Sequence, residues 1–517
     1  MSEQKLSAAD RDATAAAGVP ARSSRRAVLL AFAFLSVYFS GFVPPGDNPN
    51  ELSRIEAVFS RVESGTFAID GAIRQLGDHM DKSVSGGRTY SNKAPGLIFA
   101  MIPPYRALRV LLPRPRHGTD VIFLLVRLST VTLASLLALA RLSRRLAERR
   151  RNETVVPVVL LAVAMGTPFL FYARSLFSHA WTAALLFLAW DALKTGESHG
   201  EGAGAWPWLA GFLASWAAIS EYTAAPIALL LAIRAAAGRR RSLVAFAAGA
   251  LLPLALLGAY DAACFGSPWT LSSAREWSPE YAALARRGLF GMSLPRPLVP
   301  LRVLLDPSRG LLLFSPFWIA FVPGARAWWR SREERLDAAF VIASAAVLLA
   351  AVMCYPHWEG GWSLGVRYLV PVFLIAALAL PRALDTPRSQ ALFAAAAAFS
   401  VCNHFLLSSA YPHVPPTMWW PAANLSAWMI RRGFAAPNLG TALGLSSPPS
   451  LFAPLAAAVA AIVAAVRSLR ETSPRASRAA AVGAAAFAAT LFLHPGIPRW
   501  EAEWRGKLTS FLLSVRR

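Results

Sequence analysis

Acidic side chains are concentrated in one stretch near the beginning of the chain. They lie at Asp47, Glu51, Glu56, Glu63, Asp70, Asp78 and Asp81. A carboxylate held next to a hydroxyl can take its proton while the oxygen attacks an electrophilic carbon. Most carboxylates in such a loop are simply solvated. The pattern therefore leaves two interpretations open: an acidic surface loop, or a loop that holds one general base.

The segment GGRTYSNKAPG, residues 86–96, places basic side chains at a turn before an apolar helix. The turn brings Tyr90 and Lys93 to the start of that helix. A single lysine at a membrane surface usually anchors the protein to lipid headgroups. With Lys82 and Arg88 nearby and helix N-terminal amides beside it, Lys93 also fits a phosphate. Phosphate binding is therefore the functional alternative to anchoring.

Further along the chain, Arg309 lies in an SRG triplet and Arg367 lies at the outer end of an apolar run. A guanidinium offers a fork of donors that matches phosphate oxygens. The structural alternative is that both side chains extend to the membrane interface and bind no phosphate. His179 and Glu221 lie near the same face, where packing or loop roles are the commoner ones.

Residues 51–63 have the spacing of a helix, with apolar side chains at Leu52, Ile55, Val58, Phe59 and Val62. In such a helix Glu51 and Arg54 lie close together, because residues three apart share a face. We expect this helix to lie on the bilayer and to present its polar side to a site.

These residues must be positioned by membrane helices. The chain has 517 residues, of which 55% are hydrophobic and 16% are charged, and a water-soluble globular protein would not carry this composition. The formal net charge of +23 comes from arginine clusters that occur in alternate loops. This is the positive-inside pattern, so we expect those loops to be cytoplasmic and expect no nucleic acid as partner. The three cysteines match no metal or disulfide spacing and are read as packing residues.

The sequence predicts an all-α polytopic membrane protein with about 13 transmembrane helices and a large first periplasmic loop that carries interfacial helices. Residues 1–26 are expected to form a disordered cytoplasmic N-terminus, and 27–408 a transmembrane module that carries the candidate site and has periplasmic loops 44–120 and 261–310. Residues 409–517 add a periplasmic loop, two further spans and a periplasmic tail. The protein is expected in a bacterial inner membrane with its active face in the periplasm.

The predicted spans are residues 27–43, 121–142, 155–173, 176–193, 206–219, 222–235, 243–260, 311–325, 338–355, 368–384, 391–408, 451–466 and 479–493. Residues 94–112 are apolar but contain two prolines and two arginines. Counting them as a span would place the arginines of 141–151 outside. We therefore expect residues 94–112 to form an interfacial helix on the outer face.

Several motifs follow one another along this topology: YSNKAPG (90–96), RLS (127–129), GTPFLFYARSLFSHAW (166–181), FGSPW (265–269), DPSRGLLLFSP (306–316) and WEGGWSLGVRYLVP (358–371). Their order resembles the GT-C superfamily of membrane glycosyltransferases, in particular the protein O-mannosyltransferase and lipid A aminoarabinose transferase branch. The resemblance extends to about Pro381 and rests on the order of the motifs.

The resemblance implies a polyprenyl-phosphate sugar donor, a periplasmic acceptor that is a lipid, glycan or protein, transfer with inversion, and no cofactor. In those branches an Asp-Glu pair opens the first loop and its aspartate is the base, whereas the aligned pair here is Asn50 and Glu51. The base is therefore expected among Asp47, Asp81 and Glu51. The residues expected to bind substrate are Arg54, Lys82, Tyr90, Lys93, Arg309, Trp358, Glu359 and Arg367.

Neither Asp-x-Asp nor a His/Cys cluster occurs, so no metal site is expected. The rival from another class is a membrane transporter or lipid flippase, which would place charged residues near the bilayer midplane. A third possibility is a transferase-shaped protein without activity, because Asn50 stands where the resemblance implies an aspartate.

Overall fold

The computed structural model describes residues 8–40, 48–148, 153–199, 204–238, 240–286, 291–493 and 499–514. Nearly all of them lie in helices or in the short connections between helices, which confirms the predicted all-α class.

In its first half the chain forms the α-helices α1 (Ala8–Tyr38), α2 (Pro49–Glu63), α3 (Asp70–Leu76), α4 (Gly96–Leu108), α5 (Val121–Arg127), α6 (Leu133–Glu148), α7 (Val156–Met165), α8 (Phe169–Tyr172), α9 (Ser178–His199), α10 (Ala205–Ser220), α11 (Ala225–Ala236) and α12 (Arg240–Phe265). In its second half it forms α13 (Pro279–Ala285), α14 (Val299–Leu305), α15 (Leu311–Phe314), α16 (Phe321–Trp329), α17 (Arg335–Cys354), α18 (Phe373–Ala376), α19 (Pro387–Ser409), α20 (Trp428–Arg431), α21 (Leu439–Ala442), α22 (Phe452–Arg467), α23 (Ala476–Thr490) and α24 (Arg499–Ser514).

Short 3-10 helices connect them at Glu153–Val155, Tyr222–Ala224, Ser272–Arg275, Pro316–Ala320, Arg367–Val372, Ala377–Ala383 and Pro449–Leu451, and π-helical turns occur at Leu128–Thr132 and Ala422–Ala427.

Five helical segments of the described chain are long and apolar enough to cross a membrane. They are Val121–Glu148, Arg240–Phe265, Arg335–Cys354, Pro387–Ser409 and Pro449–Arg467. The predicted number of spans and the periplasmic position of the loops stay predictions. Helix α4 has 13 residues, about 20 Å at the α-helical rise, and is too short to cross a bilayer. That length agrees with an interfacial position.

Two of the predicted spans are broken helices. Residues 311–325 fold as α15, the 3-10 helix Pro316–Ala320 and the beginning of α16, and residues 368–384 alternate in the same way between 3-10 and α-helical turns. Proline explains the breaks, because it lacks a backbone N–H and its ring collides with the preceding turn. Pro316, Pro371 and Pro381 lie within the short 3-10 segments.

Helix α2 forms as predicted, but every residue from Glu51 to Ser60 is buried. The expectation that this helix lies on the membrane surface is therefore wrong. Polar side chains of this helix tolerate burial because they have partners elsewhere in the chain. Glu51 pairs with Arg127, Glu56 pairs with His79, and Ser53 donates to the carbonyl of Asp81.

The turn predicted at residues 86–96 is a β-hairpin. Strands β1 (Lys82–Ser85) and β2 (Arg88–Ser91) pair antiparallel around Gly86 and Gly87, whose φ angles are +56° and +74°. A two-residue turn with positive φ at both positions matches the twist of a hairpin. The outer edge of β1 also bridges to Glu276, and Ser83 Oγ donates to the Ser272 carbonyl at 2.7 Å. The two long loops predicted on the outer face are therefore in contact.

Ion pairs join helix ends that the predicted topology places on one side. Arg141 and Arg145 both pair with Asp191, and Arg234 pairs with Asp337. All of these residues belong to ends predicted as cytoplasmic. The residues predicted to form the site lie at the opposite helix ends. These ion pairs are therefore compatible with the predicted order of the spans.

Candidate active site

An ion pair between Asp81 and Lys93 lies at the centre of the polar cluster. Asp81 Oδ2 and Lys93 Nζ are 2.8 Å apart, and the two side chains are 18% and 16% exposed. The hairpin β1–β2 brings them together, because Asp81 precedes β1 and Lys93 follows β2. Both residues were expected at the site from the sequence.

The pair keeps both groups charged. Burial raises the pKa of Asp81, but the charge and hydrogen bond of Lys93, together with His79 and Arg367, outweigh burial, so the pKa of the carboxyl lies below its ordinary value. Burial lowers the pKa of the Lys93 ammonium, and the Asp81 carboxylate opposes that shift only in part. An anion that binds Lys93 therefore meets a cation that is already partly desolvated.

A second carboxylate enters the cluster from residues 261–310. Glu276 Oε1 accepts a hydrogen bond of 2.8 Å from Asn92 Nδ2, next to Lys93. Burial raises the pKa of Glu276 to about 7, and the Asn92 hydrogen bond and the Lys93 charge reduce this shift. No local pattern in the sequence pointed to Glu276, because this residue stands alone in a loop far from Lys93 along the chain.

Arg54 reaches the cluster from the buried helix α2. Its Nη1 donates to the Asn50 carbonyl at 2.8 Å and to the Asn50 side chain, and its Nη2 donates to Ser178 Oγ at 3.3 Å. Burial lowers the pKa of this guanidinium to about 10. Its Nε has no acceptor among the described residues. Arg54 thus remains a cation with one N–H group, at Nε, that is free to donate a hydrogen bond.

Helices α9 and α10 contribute a polar triad at their facing ends. Glu221 Oε2 lies 2.7 Å from His179 Nδ1 and accepts a hydrogen bond of 3.0 Å from Ser178 Oγ. Ser178 therefore connects Glu221 to Arg54. The sequence placed His179 and Glu221 near the outer face, and the structure brings them into direct contact.

Arg367 is the most isolated cation of the cluster. Its Nη2 donates to Tyr368 Oη at 2.9 Å, and its guanidinium carbon lies 5.8 Å from the ring centroid of Phe177. Its Nε is buried without an acceptor, and no carboxylate lies within ion-pair distance in the part of the chain that the structure describes. Its charge nevertheless acts on Asp81 and Glu221.

Arg309 holds the loop that follows α17. Its Nη1 donates to the carbonyls of Glu359 and Gly361, the latter at 3.2 Å, and its Nε donates to Ser308 Oγ at 3.2 Å. Burial lowers the pKa of this guanidinium to about 10. Trp358 in the same loop is buried. Arg309 thus positions residues 358–361. In this loop the backbone of Gly360 lies so close to Arg367 that a Cβ at position 360 would be 2.6 Å from Arg367 Nε.

The remaining candidates for the base from the sequence are Glu51 and Asp47. Both oxygens of Glu51 are occupied, Oε1 by the Leu176 amide and Oε2 by Arg127 at 3.4 Å. A buried carboxylate held in this way anchors helix α2. Asp47 lies outside the described residues.

Two other residues expected to bind substrate join the two outer loops. Lys82 pairs with Asp78 at 2.6 Å and covers the ring of Trp277 at 4.4 Å from its centroid. Tyr90 packs edge-on against Phe265, with 5.5 Å between ring centroids. Their role in substrate binding stays a prediction.

A separate cavity of 570 Å³ lies between α1, α5 and the segment around α21. Its lining is mostly apolar, with Tyr38, Asn438, Thr441 and Ser447 as polar exceptions, and includes none of the residues of the cluster. In the described chain, no group of three His, Cys, Asp or Glu side chains is arranged to hold a metal ion.

No family model and no curated protein matches the sequence. The fold is similar to ArnT from Cupriavidus metallidurans bound to undecaprenyl phosphate, with 14% identity, a TM-score of 0.48, and coverage of 90% of this chain and 76% of ArnT. It is also similar to the Archaeoglobus fulgidus oligosaccharyltransferase, with 12% identity, a TM-score of 0.44, and coverage of 89% and 59%.

The apo form of ArnT is similar as well, with 15% identity, a TM-score of 0.45, and coverage of 87% of this chain and 77% of ArnT.

Proposed function

We propose that the chain is a membrane glycosyltransferase that moves a sugar from a polyprenyl-phosphate donor to an acceptor hydroxyl in the periplasm, with inversion. The observation that supports this most is Arg367, a half-buried arginine whose Nε is buried without an acceptor and that has no carboxylate partner among the described residues. Removing a charge from water without giving it a partner is unfavourable. A lipid-linked phosphate supplies the missing anion.

The other cations of the cluster suit the same ligand. Arg54 has a free Nε–H, and Lys93 is partly desolvated. Guanidinium and ammonium donors form short, charge-assisted hydrogen bonds with phosphate oxygens. In the proposed reaction the acceptor oxygen attacks the anomeric carbon from the side opposite the phosphate. The bond from that carbon to the phosphate oxygen breaks, and Arg367 and Lys93 stabilise the charge on the departing polyprenyl phosphate.

A carboxylate of the cluster accepts the proton of the acceptor hydroxyl. Asp81 and Glu276 are the carboxylates of the cluster that lie beside Lys93. The proposed location is a bacterial inner membrane with the cluster facing the periplasm. The arginine-rich loops at the opposite helix ends support that orientation.

The test is transfer by the purified protein in lipid nanodiscs. Labelled polyprenyl-phosphate sugars are supplied with a membrane extract, and the product is isolated and its anomeric configuration read by NMR. We expect labelled product of inverted configuration. Arg367→Ala should weaken binding of polyprenyl phosphate at least about tenfold, since a hydrogen bond to a charged group contributes about 1.5–3 kcal/mol. Movement of labelled lipid between leaflets without any product would instead support a flippase.

A further inference from the structure

We propose that Glu276 is the catalytic group that removes the proton from the acceptor hydroxyl, and that Asp81 serves to hold Lys93 for the donor phosphate. This inference rests on the proposed glycosyl transfer and assigns its base to a residue from the second outer loop, residues 261–310.

The position of Glu276 is fixed by its backbone and by one oxygen. Its backbone bridges to Ser83 of strand β1, and the neighbouring Trp277 amide donates to the Lys82 carbonyl at 2.9 Å. Its Oε1 accepts from Asn92 Nδ2 at 2.8 Å. The other oxygen, Oε2, makes no hydrogen bond with any described residue. Glu276 therefore presents one anchored and one available oxygen beside Lys93, as a positioned base requires.

Asp81 is in the opposite situation. Its Oδ2 is 2.8 Å from Lys93 Nζ, and this pairing holds the pKa of Asp81 below its ordinary value. A carboxylate with a low proton affinity is a weak base. Glu276 has the higher affinity, since burial raises its pKa to about 7. Neighbouring carboxylates whose environments separate their pKa values commonly divide the roles of proton acceptor and electrostatic partner.

The groups that face Glu276 from the surrounding elements favour this division. They are Asn92 and Lys93 before α4, Asp81 before β1, Tyr281 on α13, and Tyr355 after α17. Lys93 is the only cation among these five. A phosphate that binds Lys93 compensates its charge and thereby raises the proton affinity of Glu276 at the moment when the base is needed.

The step balances without a further reactant. The acceptor oxygen forms a bond to the anomeric carbon while the bond from that carbon to the phosphate oxygen breaks. The bonding electrons leave with the polyprenyl phosphate, which gains one negative charge. The hydroxyl proton passes to Glu276 Oε2 and is later released to solvent.

The test compares wild type with Glu276→Gln, Glu276→Asp and, as matched control, Glu280→Gln, which removes an exposed carboxylate four residues further along the chain. We expect Glu276→Gln to lower kcat by about 10² to 10⁴. Its affinity for polyprenyl phosphate should not fall, because removal of the Glu276 charge leaves Lys93 at least as attractive to the phosphate, and retained binding also shows that the variant is folded. Glu280→Gln should transfer at the wild-type rate. Glu276→Asp should be slow but should retain the pH dependence of a carboxylate base.

The pH profile supplies a second readout. Only ionised Glu276 accepts a proton, so wild-type kcat/KM should rise with pH up to about 7 and then level off. This acid limb should be absent in Glu276→Gln.

Normal transfer by Glu276→Gln overturns the assignment, and so does a loss that lies only in donor affinity. If Glu276→Gln does not fold, Glu276→Asp decides, because a wild-type rate or a missing acid limb in that variant overturns the assignment as well. Absence of transfer by the wild type would instead refute the proposed function itself.

Discussion

Glu56 Oε2 and His79 Nε2 lie 2.7 Å apart, and both side chains are completely buried. The other ring nitrogen of His79, Nδ1, accepts a hydrogen bond of 3.1 Å from the Asp81 amide. This acceptor role requires that Nε2 carries the proton and donates it to Glu56. The pair therefore connects the buried helix α2 to the residue that holds Lys93.

Replacing His79 by phenylalanine should destabilise the protein, because Glu56 is then left as an unpaired buried carboxylate. We expect a loss of about 3–5 kcal/mol in the free energy of unfolding, measured by SDS titration in mixed micelles. His199→Phe is the control, since that histidine is exposed. The double variant Glu56→Leu/His79→Phe should recover much of the loss, because both polar partners are removed together. An unchanged stability of His79→Phe would contradict the pairing.

Gly360 and Gly361 form a matched pair for testing the position of Arg367. Both have positive φ, +74° and +63°, so alanine strains the backbone in a similar way at either position. A Cβ at Gly360 would lie 2.6 Å from Arg367 Nε, whereas a Cβ at Gly361 has no neighbour within 4 Å. Only Gly360→Ala should displace the guanidinium.

We therefore expect Gly360→Ala to weaken the binding of polyprenyl phosphate about tenfold, a loss of about 1.4 kcal/mol, and Gly361→Ala to leave it near wild type. Calorimetric titration of each variant in nanodiscs gives both dissociation constants. Equal losses in the two variants would show that loop strain, and not contact with Arg367, controls binding.

The membrane class and the position of Lys93 at a turn before an apolar helix could be predicted from the sequence, because hydropathy and a Gly-rich turn are local signals. It was insufficient for helix α2, whose alternating polar residues suggested a surface helix. Their partners, such as Arg127 for Glu51, lie far along the chain, so the burial of this helix depends on contacts that no local pattern records. Glu276 was missed for the same reason, since its role comes from docking against Asn92.

The proline-broken spans show another limit of hydropathy. Residues 368–384 are apolar enough to be read as a span, yet Pro371 and Pro381 divide them into short turns. Hydropathy measures only the preference for an apolar environment, and buried turns satisfy that preference as well as a transmembrane helix does. The site residue Arg367 begins the first of these turns.

Lys93 and Lys82 should differ in their effect on donor binding. Lys93 pairs with Asp81 inside the cluster, whereas Lys82 pairs with the exposed Asp78 and covers Trp277. We expect Lys93→Met to weaken binding of polyprenyl phosphate by about 1.5–3 kcal/mol, the range for a charged hydrogen bond, and Lys82→Met to leave it unchanged. Calorimetric titration separates the two. A larger loss for Lys82→Met would place the phosphate on the other side of the hairpin.

Single cysteines at Ser64 and Ser278 should react with an impermeant thiol reagent in intact spheroplasts, because both lie in loops predicted to face the periplasm. The background must lack the native Cys264, Cys354 and Cys402. A cysteine at the exposed Ser198, at a predicted cytoplasmic end, should react only after lysis. Reversed labelling would invert the topology and remove the periplasm as the place of transfer.

Asp81→Asn should shift the pH dependence of transfer to lower pH. The negative charge of Asp81 raises the pKa of Glu276, so its removal favours the ionised form of Glu276. Lys93, freed from its partner, acts in the same direction. The midpoint of the acid limb of kcat/KM should therefore fall below its wild-type position near pH 7.

The same variant should lose less activity than Glu276→Gln, because its effect is only to leave Lys93 less well held. Measuring kcat/KM between pH 5 and 9 for wild type and Asp81→Asn, with inorganic buffers of constant ionic strength, gives both midpoints and both plateaus. A complete loss of transfer at every pH would make Asp81 the base. An upward shift of the midpoint would show that the two carboxylates do not interact as their positions around Lys93 require.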